Sequence, residues 1–275
     1  MEQSVPSPDL SQAVEAHLAL ATRLVDQQLT TSAGFAVLAE VAGLAAWLAA
    51  DRGDHGTARR RYAESIRYAQ RAHHPLLAAY MTASTGHFAV ECGDPRHGAG
   101  LLDRARAQLD AAAPPQAHAW LASLEAVARA RLADRSAALR ALHEAETRAA
   151  RADADPIWPW IFSFDAAKAA RYRGFALAHL GDLRGAIEAF SEAGPALTTP
   201  KPRAVALVER AQVHARLGEI GHACRLAVDA LEVGRRYGSE RIIAKVRALR
   251  AEMPPRAPEA EDLDHALMAC YEERV

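Results

Sequence analysis

His87 and Glu91 stand four residues apart in "HFAVEC", with Cys92 next in line. On a helix that spacing puts imidazole and carboxylate on one face, an arrangement suited to an acid–base pair or to two ligands of a metal. His214, His222 and Cys224 form a second candidate group, and "HH" at 73–74 precedes Pro75 as part of a loop. Two ligands at helical spacing arise readily by chance, so the expectation is no metal, no cofactor and no catalytic residue. The chain carries no phosphate loop, nucleophile elbow or dinucleotide fingerprint. A denser concentration of chemistry is "DADPIWPWIFSFD", in which Trp158, Trp160, Phe162 and Phe164 alternate along the chain and Pro156 and Pro159 forbid a continuous helix. Two readings of it stay open: an apolar plug between helices, or the aromatic wall of a ligand site.

What positions these residues is a repeated unit. "LAHLGDLRGAIEAF" reads as the end of one helix, a tight turn and the start of another, and the chain holds four cognates of it: "LAADRGDHGTARRRY", "FAVECGDPRHGAGLL", "RARLADRSAALRAL" and "HARLGEIGHACRLA". The turns carry Gly53-Asp54, Gly93-Asp94, Ala133-Asp134, Gly181-Asp182 and Gly218-Glu219. Glycine ends a helix because it takes positive φ without a Cβ penalty, and the acid that follows suits the next helix N-terminus. Five residues on stands a small residue (Ala58, Gly98, Ala138, Ala186, Ala223), then four further a core position (Tyr62, Leu102, Leu142, Phe190, Ala227). The turn spacings of 40, 40, 48 and 37 residues describe an irregular helix-turn-helix array.

Composition agrees. Alanine accounts for 65 of 275 residues and aromatics for only 6%, so the fold is expected to be all-α. A net charge of -1 excludes a whole-chain basic field for nucleic acid. Three cysteines far apart in sequence, with a polar N-terminus, point to a reducing cytoplasm. The longest apolar run, 35–50, is interrupted by Glu40, so no membrane span is expected.

The units resemble the tetratricopeptide repeat (TPR) family, over roughly residues 36–250, with Gly86 and Gly174 at the position of that repeat's first-helix glycine. The resemblance implies a right-handed α-α superhelix of about five helix pairs plus terminal helices. It divides the chain into an N-terminal tail and helix (1–35, the helix at about 9–29), the array with a capping helix opened by Ser239 (36–250), and a Pro-rich linker with a short acidic helix (251–275). That last helix either folds back on the array, where its own groove could hold it as a placeholder for a ligand, or binds another subunit. "AGLAAWLAADRGDHGTARRRY" and "WPWIFSFDAAKAARYRGFALAHLGD" further resemble the C-terminal TPR region of actinobacterial Xre-type transcriptional regulators. The resemblance implies a non-enzymatic regulatory or sensor domain, linked to transcription, that binds a protein, peptide or small-molecule ligand, with homodimerisation as one option. The alternative is a stand-alone scaffold. A helix-turn-helix domain needs roughly 60 residues and no recognition helix precedes the first repeat, so direct DNA binding is not expected.

The repeat frame places the first helix of each pair along a concave groove. Its expected lining includes Trp47, Tyr80, His87, Trp120, Arg131, Lys168, Arg171, Phe175 and Arg216, with Trp158 and Trp160 from the aromatic segment. Asp51 and Glu91 fall early and the bases fall late, so the groove is expected to be negative at one end and positive at the other. The chain has no asparagine, which removes the amide side chains by which some TPR arrays hold a peptide backbone.

Overall fold

The computed structural model describes residues 5–28, 30–151 and 164–272, with Tyr271 and Glu272 by backbone only. Trp158 and Trp160 lie outside the described residues. The protein is an all-α helical-repeat superhelix, with no strand among the described residues. Helices α1 (Ser7–Gln27) and α2 (Ser32–Asp51) are followed by α3 (His55–Arg71), α4 (Pro75–Glu91), α5 (Pro95–Gln108), α6 (Pro115–Arg131) and α7 (Arg135–Ala149). Then come α8 (Ala166–His179), α9 (Leu183–Ala193), α10 (Pro200–Arg216), α11 (Ile220–Arg236), α12 (Glu240–Glu252) and α13 (Glu261–Glu272).

The five expected turns join α2/α3, α4/α5, α6/α7, α8/α9 and α10/α11. Gly53, Gly93, Gly181 and Gly218 have φ between +77° and +89°. Ala133 makes the same turn at φ +60°, a conformation that costs a non-glycine residue roughly 1 kcal/mol. Four of the acids then cap: Asp54, Asp94, Asp134 and Asp182 accept the amide N–H three residues on at 2.9–3.0 Å. Glu219 does not; its longer side chain turns back to His214 Nδ1 at 2.6 Å.

The small residues make each pair close. Ala58, Ala138, Ala186 and Ala223 are wholly buried. A Cβ on Gly98 would lie 2.4 Å from Val90 Cγ2 and 2.7 Å from the Gly86 carbonyl, and one on Gly174 would lie 2.6 Å from the Phe190 ring. Helix α2 is long and apolar enough to cross a membrane, but half of its apolar stretch is buried inside the array, between α1, α3 and α4.

Both terminal segments pack as part of the array. Leu18 and Val25 of α1 join Phe35, Leu38 and Ala42 of α2 in one cluster. Leu263, Leu267 and Cys270 of α13 enter the main core against α11, and Arg250 holds Asp264 at 2.7 Å. The acidic tail therefore folds back onto the end of the array and not into the concave face.

Candidate functional site

The residue two before each turn lies on the inner face: Asp51, Glu91, Arg131, His179 and Arg216. The structure sorts the expected lining into three neighbourhoods, because the inner faces of the first helices meet those of the last.

The first neighbourhood is a junction between the two ends of the chain. Asp51, its side chain fully buried, accepts from Ser7 Oγ and Ser239 Oγ at 2.7 Å each and from Arg241 Nε at 3.3 Å. Lys201, also fully buried, donates to Ser7 Oγ at 2.7 Å and stands 3.2 Å from Asp51 Oδ2. Trp47 lies beneath these cations, 5.2 Å from Lys201 Nζ and 5.9 Å from Arg241 Cζ. Ser7 N–H also donates to the Tyr237 carbonyl at 3.0 Å, so α1 abuts the turn before α12.

The second neighbourhood continues along the inner face. Glu91 sits 3.2 Å from Arg241, 3.8 Å from His87 and 3.9 Å from Lys245, which donates to Glu209 at 2.8 Å. Burial favours the protonated acid, but Arg241, His87 and Lys245 outweigh it and hold Glu91 far below the usual carboxylate range. His87 meets the edge of Tyr172 at 6.3 Å, and burial lowers its pKa, with Glu91 opposing and Arg241, Lys245 and Arg171 assisting.

At the rim, Arg131 donates from Nε to His179 Nε2 at 3.1 Å and from Nη1 to the Val90 carbonyl at 2.8 Å. Arg216 donates to the Ala178 carbonyl at 2.6 Å. Each arginine ends its helix and donates to a C-terminal carbonyl of the preceding first helix, an equivalent tie at α6 and at α10. His179 keeps access to water, but desolvation by the neighbouring helices, then Arg131, Lys245 and Arg216, lower its pKa to about 4 against the pull of Glu209.

The aromatics do not form one wall. Tyr80 and Trp120 meet with ring centroids 5.1 Å apart, tilted by 35°, and are half-buried on neighbouring inner helices. Phe175 is 8% exposed and belongs to the core, 5.6 Å from Phe190 and 5.8 Å from Tyr172. Arg171 lies over Tyr172 at 4.8 Å, and its buried Nε has no hydrogen-bond partner. Lys168 is half-buried beside Arg171, its pKa lowered by burial.

The expected charge gradient along an open groove is not what the inner face shows, because its acids are paired. Acids of the first two pairs and bases of α10 and α12 meet across the inner face and neutralise each other. Lys201, Glu209, Arg241 and Lys245 were not among the expected lining. Arg241 and Lys245 stand four apart on α12, and extending the repeat frame onto that helix would have found them.

Among the described residues no three His, Cys, Asp or Glu converge as metal ligands. His214 and His222 rings are 4.2 Å apart, but Cys224 turns to Met253.

No protein-family model matches the chain, and no curated protein matches it. Among solved structures it is similar to the crystal structure of BtubC (BKLC) from P. vanneervenii, at 16% identity and a TM-score of 0.55, over 92% of this chain and 94% of that one. The class of protein these findings define is the all-α helical repeat. The likeness at that identity carries the fold and nothing further.

Proposed function

We propose that the chain is a TPR-type regulatory or sensor domain of the cytoplasm, without enzymatic activity, which binds a ligand or protein partner on its inner face and serves transcriptional regulation. One observation carries the reading: the half-buried Tyr80–Trp120 pair lies on the same inner face as the accessible rim residues Arg131, His179 and Arg216. Aromatic anchors beside fixed polar groups are what a recognition surface requires. The link to transcription rests on the resemblance of the repeats to the Xre-type regulators, and the regulatory part of the reading falls if deleting the gene leaves the transcript profile of the source cell unchanged.

The binding surface is tested with a photo-crosslinking residue placed at Trp120 on the inner face or at Leu139, which is 41% exposed on α7. Adducts in source-cell extract at 120 but not 139 support the reading. Identical patterns from both positions sink it.

A stand-alone scaffold is favoured by a different observation. Leu20 and Leu24 on the outer face of α1 and Val37 on α2 are 40–49% exposed. If adducts concentrate at position 20 and not at 120, partners dock on the end of the array and the scaffold reading replaces the first. Light scattering of the purified chain separates a second copy from a foreign partner there.

A further inference from the structure

The geometry points to an oxyanion site at the rim of the inner face, built by Arg131 and Arg216 around His179, with a dianionic phosphate group as its occupant. The inference rests on the reading of the inner face as a binding surface and gives that surface a ligand class.

Arginine can only donate, so the Arg131 Nε contact at 3.1 Å makes His179 Nε2 an acceptor and places the imidazole proton on Nδ1. The neutral ring then offers a donor. Both guanidinium groups are fixed by one carbonyl each, Val90 for Arg131 and Ala178 for Arg216. That leaves Arg131 Nη2, and Nε and Nη2 of Arg216, without a hydrogen bond to any described residue. His179 and Arg216 are exposed, so an ion reaches them without a structural change.

The charge count selects the ligand. Lys245 and Glu209 pair at 2.8 Å, and among the described residues no acid makes an ion pair with Arg131 or Arg216, whose contacts are carbonyls and the neutral His179 ring, which leaves an excess of two positive charges. Glu91 is the next acid, 3.9 Å from Lys245, and it is engaged more closely by Arg241. A carboxylate would answer half the excess; a phosphate monoester near neutral pH, with its second pKa near 6, answers nearly all of it. Arginine forks suit its oxygens, and the donors are held in place before it arrives. Carbonyl capping alone gives no reason for this crowding: a glutamine at either position would satisfy the same carbonyl without the repulsion.

The test is a titration of inorganic phosphate into the full chain at constant ionic strength, followed through the His179 imidazole resonances. Expected is a saturable shift with a dissociation constant of millimolar or tighter and a raised His179 titration midpoint, with no such change in acetate or chloride. Arg216→Gln keeps a donor for Ala178 at an exposed position and should weaken binding about tenfold or more. Phenyl phosphate in parallel separates an organic ester, which binds tighter, from free phosphate, which binds as well; either result supports the site. A small, unsaturating shift equal to that in chloride, or unchanged affinity in Arg216→Gln, overturns it. Failure here with selective crosslinking at 120 removes the anion site and leaves the binding surface standing.

Discussion

The junction and the rim use the same kind of residue at the same place in the repeat, and they treat charge in opposite ways. At the junction Asp51 and Lys201 have no contact with water, and each Asp51 oxygen is matched by hydroxyl and cationic donors from α1, α10 and α12. At the rim Arg131 and Arg216 bind only carbonyls and a neutral ring, and their charge is left unanswered by an acid in contact. Buried charge is tolerated only when paired, whereas accessible charge can be left over. The difference separates a structural lock from a surface with recognition left in it.

Breaking the lock should produce the largest effect. Asp51→Ala leaves Lys201 buried without its acid, and urea unfolding should show a loss of about 3–5 kcal/mol. The double change Asp51→Leu with Lys201→Met should recover most of that loss; if it does not, packing and not charge pairing holds the junction.

Glu91→Gln should cost about 1.5–3 kcal/mol near neutral pH, since a neutral amide answers Arg241 and Lys245 poorly. The pH dependence follows from the sign of the shifts. Glu91 has its folded pKa depressed, so its contribution is complete above the unfolded value of 4.5 and is lost as pH falls below it. His87 and His179 are also depressed, from 6.5, so their contributions are complete above that value and drain away as pH falls towards the folded values. Stability should therefore decline from pH 6.5 downward, and Glu91→Gln should flatten the part of the curve below 4.5. A wild-type curve flat from pH 7 to 3 would contradict these placements.

Smaller effects compare the turns. Gly181→Val forces a β-branched residue to φ +84° and should destabilise by about 1–2 kcal/mol. Ala133→Gly should do the reverse, stabilising by about 0.5–1 kcal/mol, because it relieves the strained turn. Equal signs for the two would mean the turns are not equivalent. The isolated chain should bind duplex DNA weakly or not at all in a mobility shift at physiological salt, given its net charge of -1.

The turns were legible because their signals are local: Gly or Ala, then an acid, then a small residue five positions from the first. Even Ala133 fell into register on its flanking pattern. Ser239 was legible as a cap for the same reason, accepting from Ile242 N–H. The inner face was only half legible. Periodicity says which side of a helix points inward, and it gave Trp47, Asp51, His87 and Glu91. It does not say how tightly the array curves, so it could not tell that α2 and α4 face α12. Lys201 shows the limit most clearly: a lysine beside two prolines reads as a helix start at the surface, and only the curvature buries it.

The junction also changes how the array comes apart. A solenoid whose units touch only their neighbours frays from its ends, one unit at a time. Here Ser7 is bonded to Lys201, 194 residues away, and Asp51 to Ser239, 188 residues away. Neither α1 nor α12 can peel off without opening these bonds, so hydrogen exchange should find α1 and α12 protected together. The same bonds span about two thirds of the chain, and their loop-closure entropy falls due only when both α1 and α12 are built. Assembly of the pairs is local and quick; joining the ends is the slow, late event, and Asp51→Ala should speed unfolding far more than it slows folding.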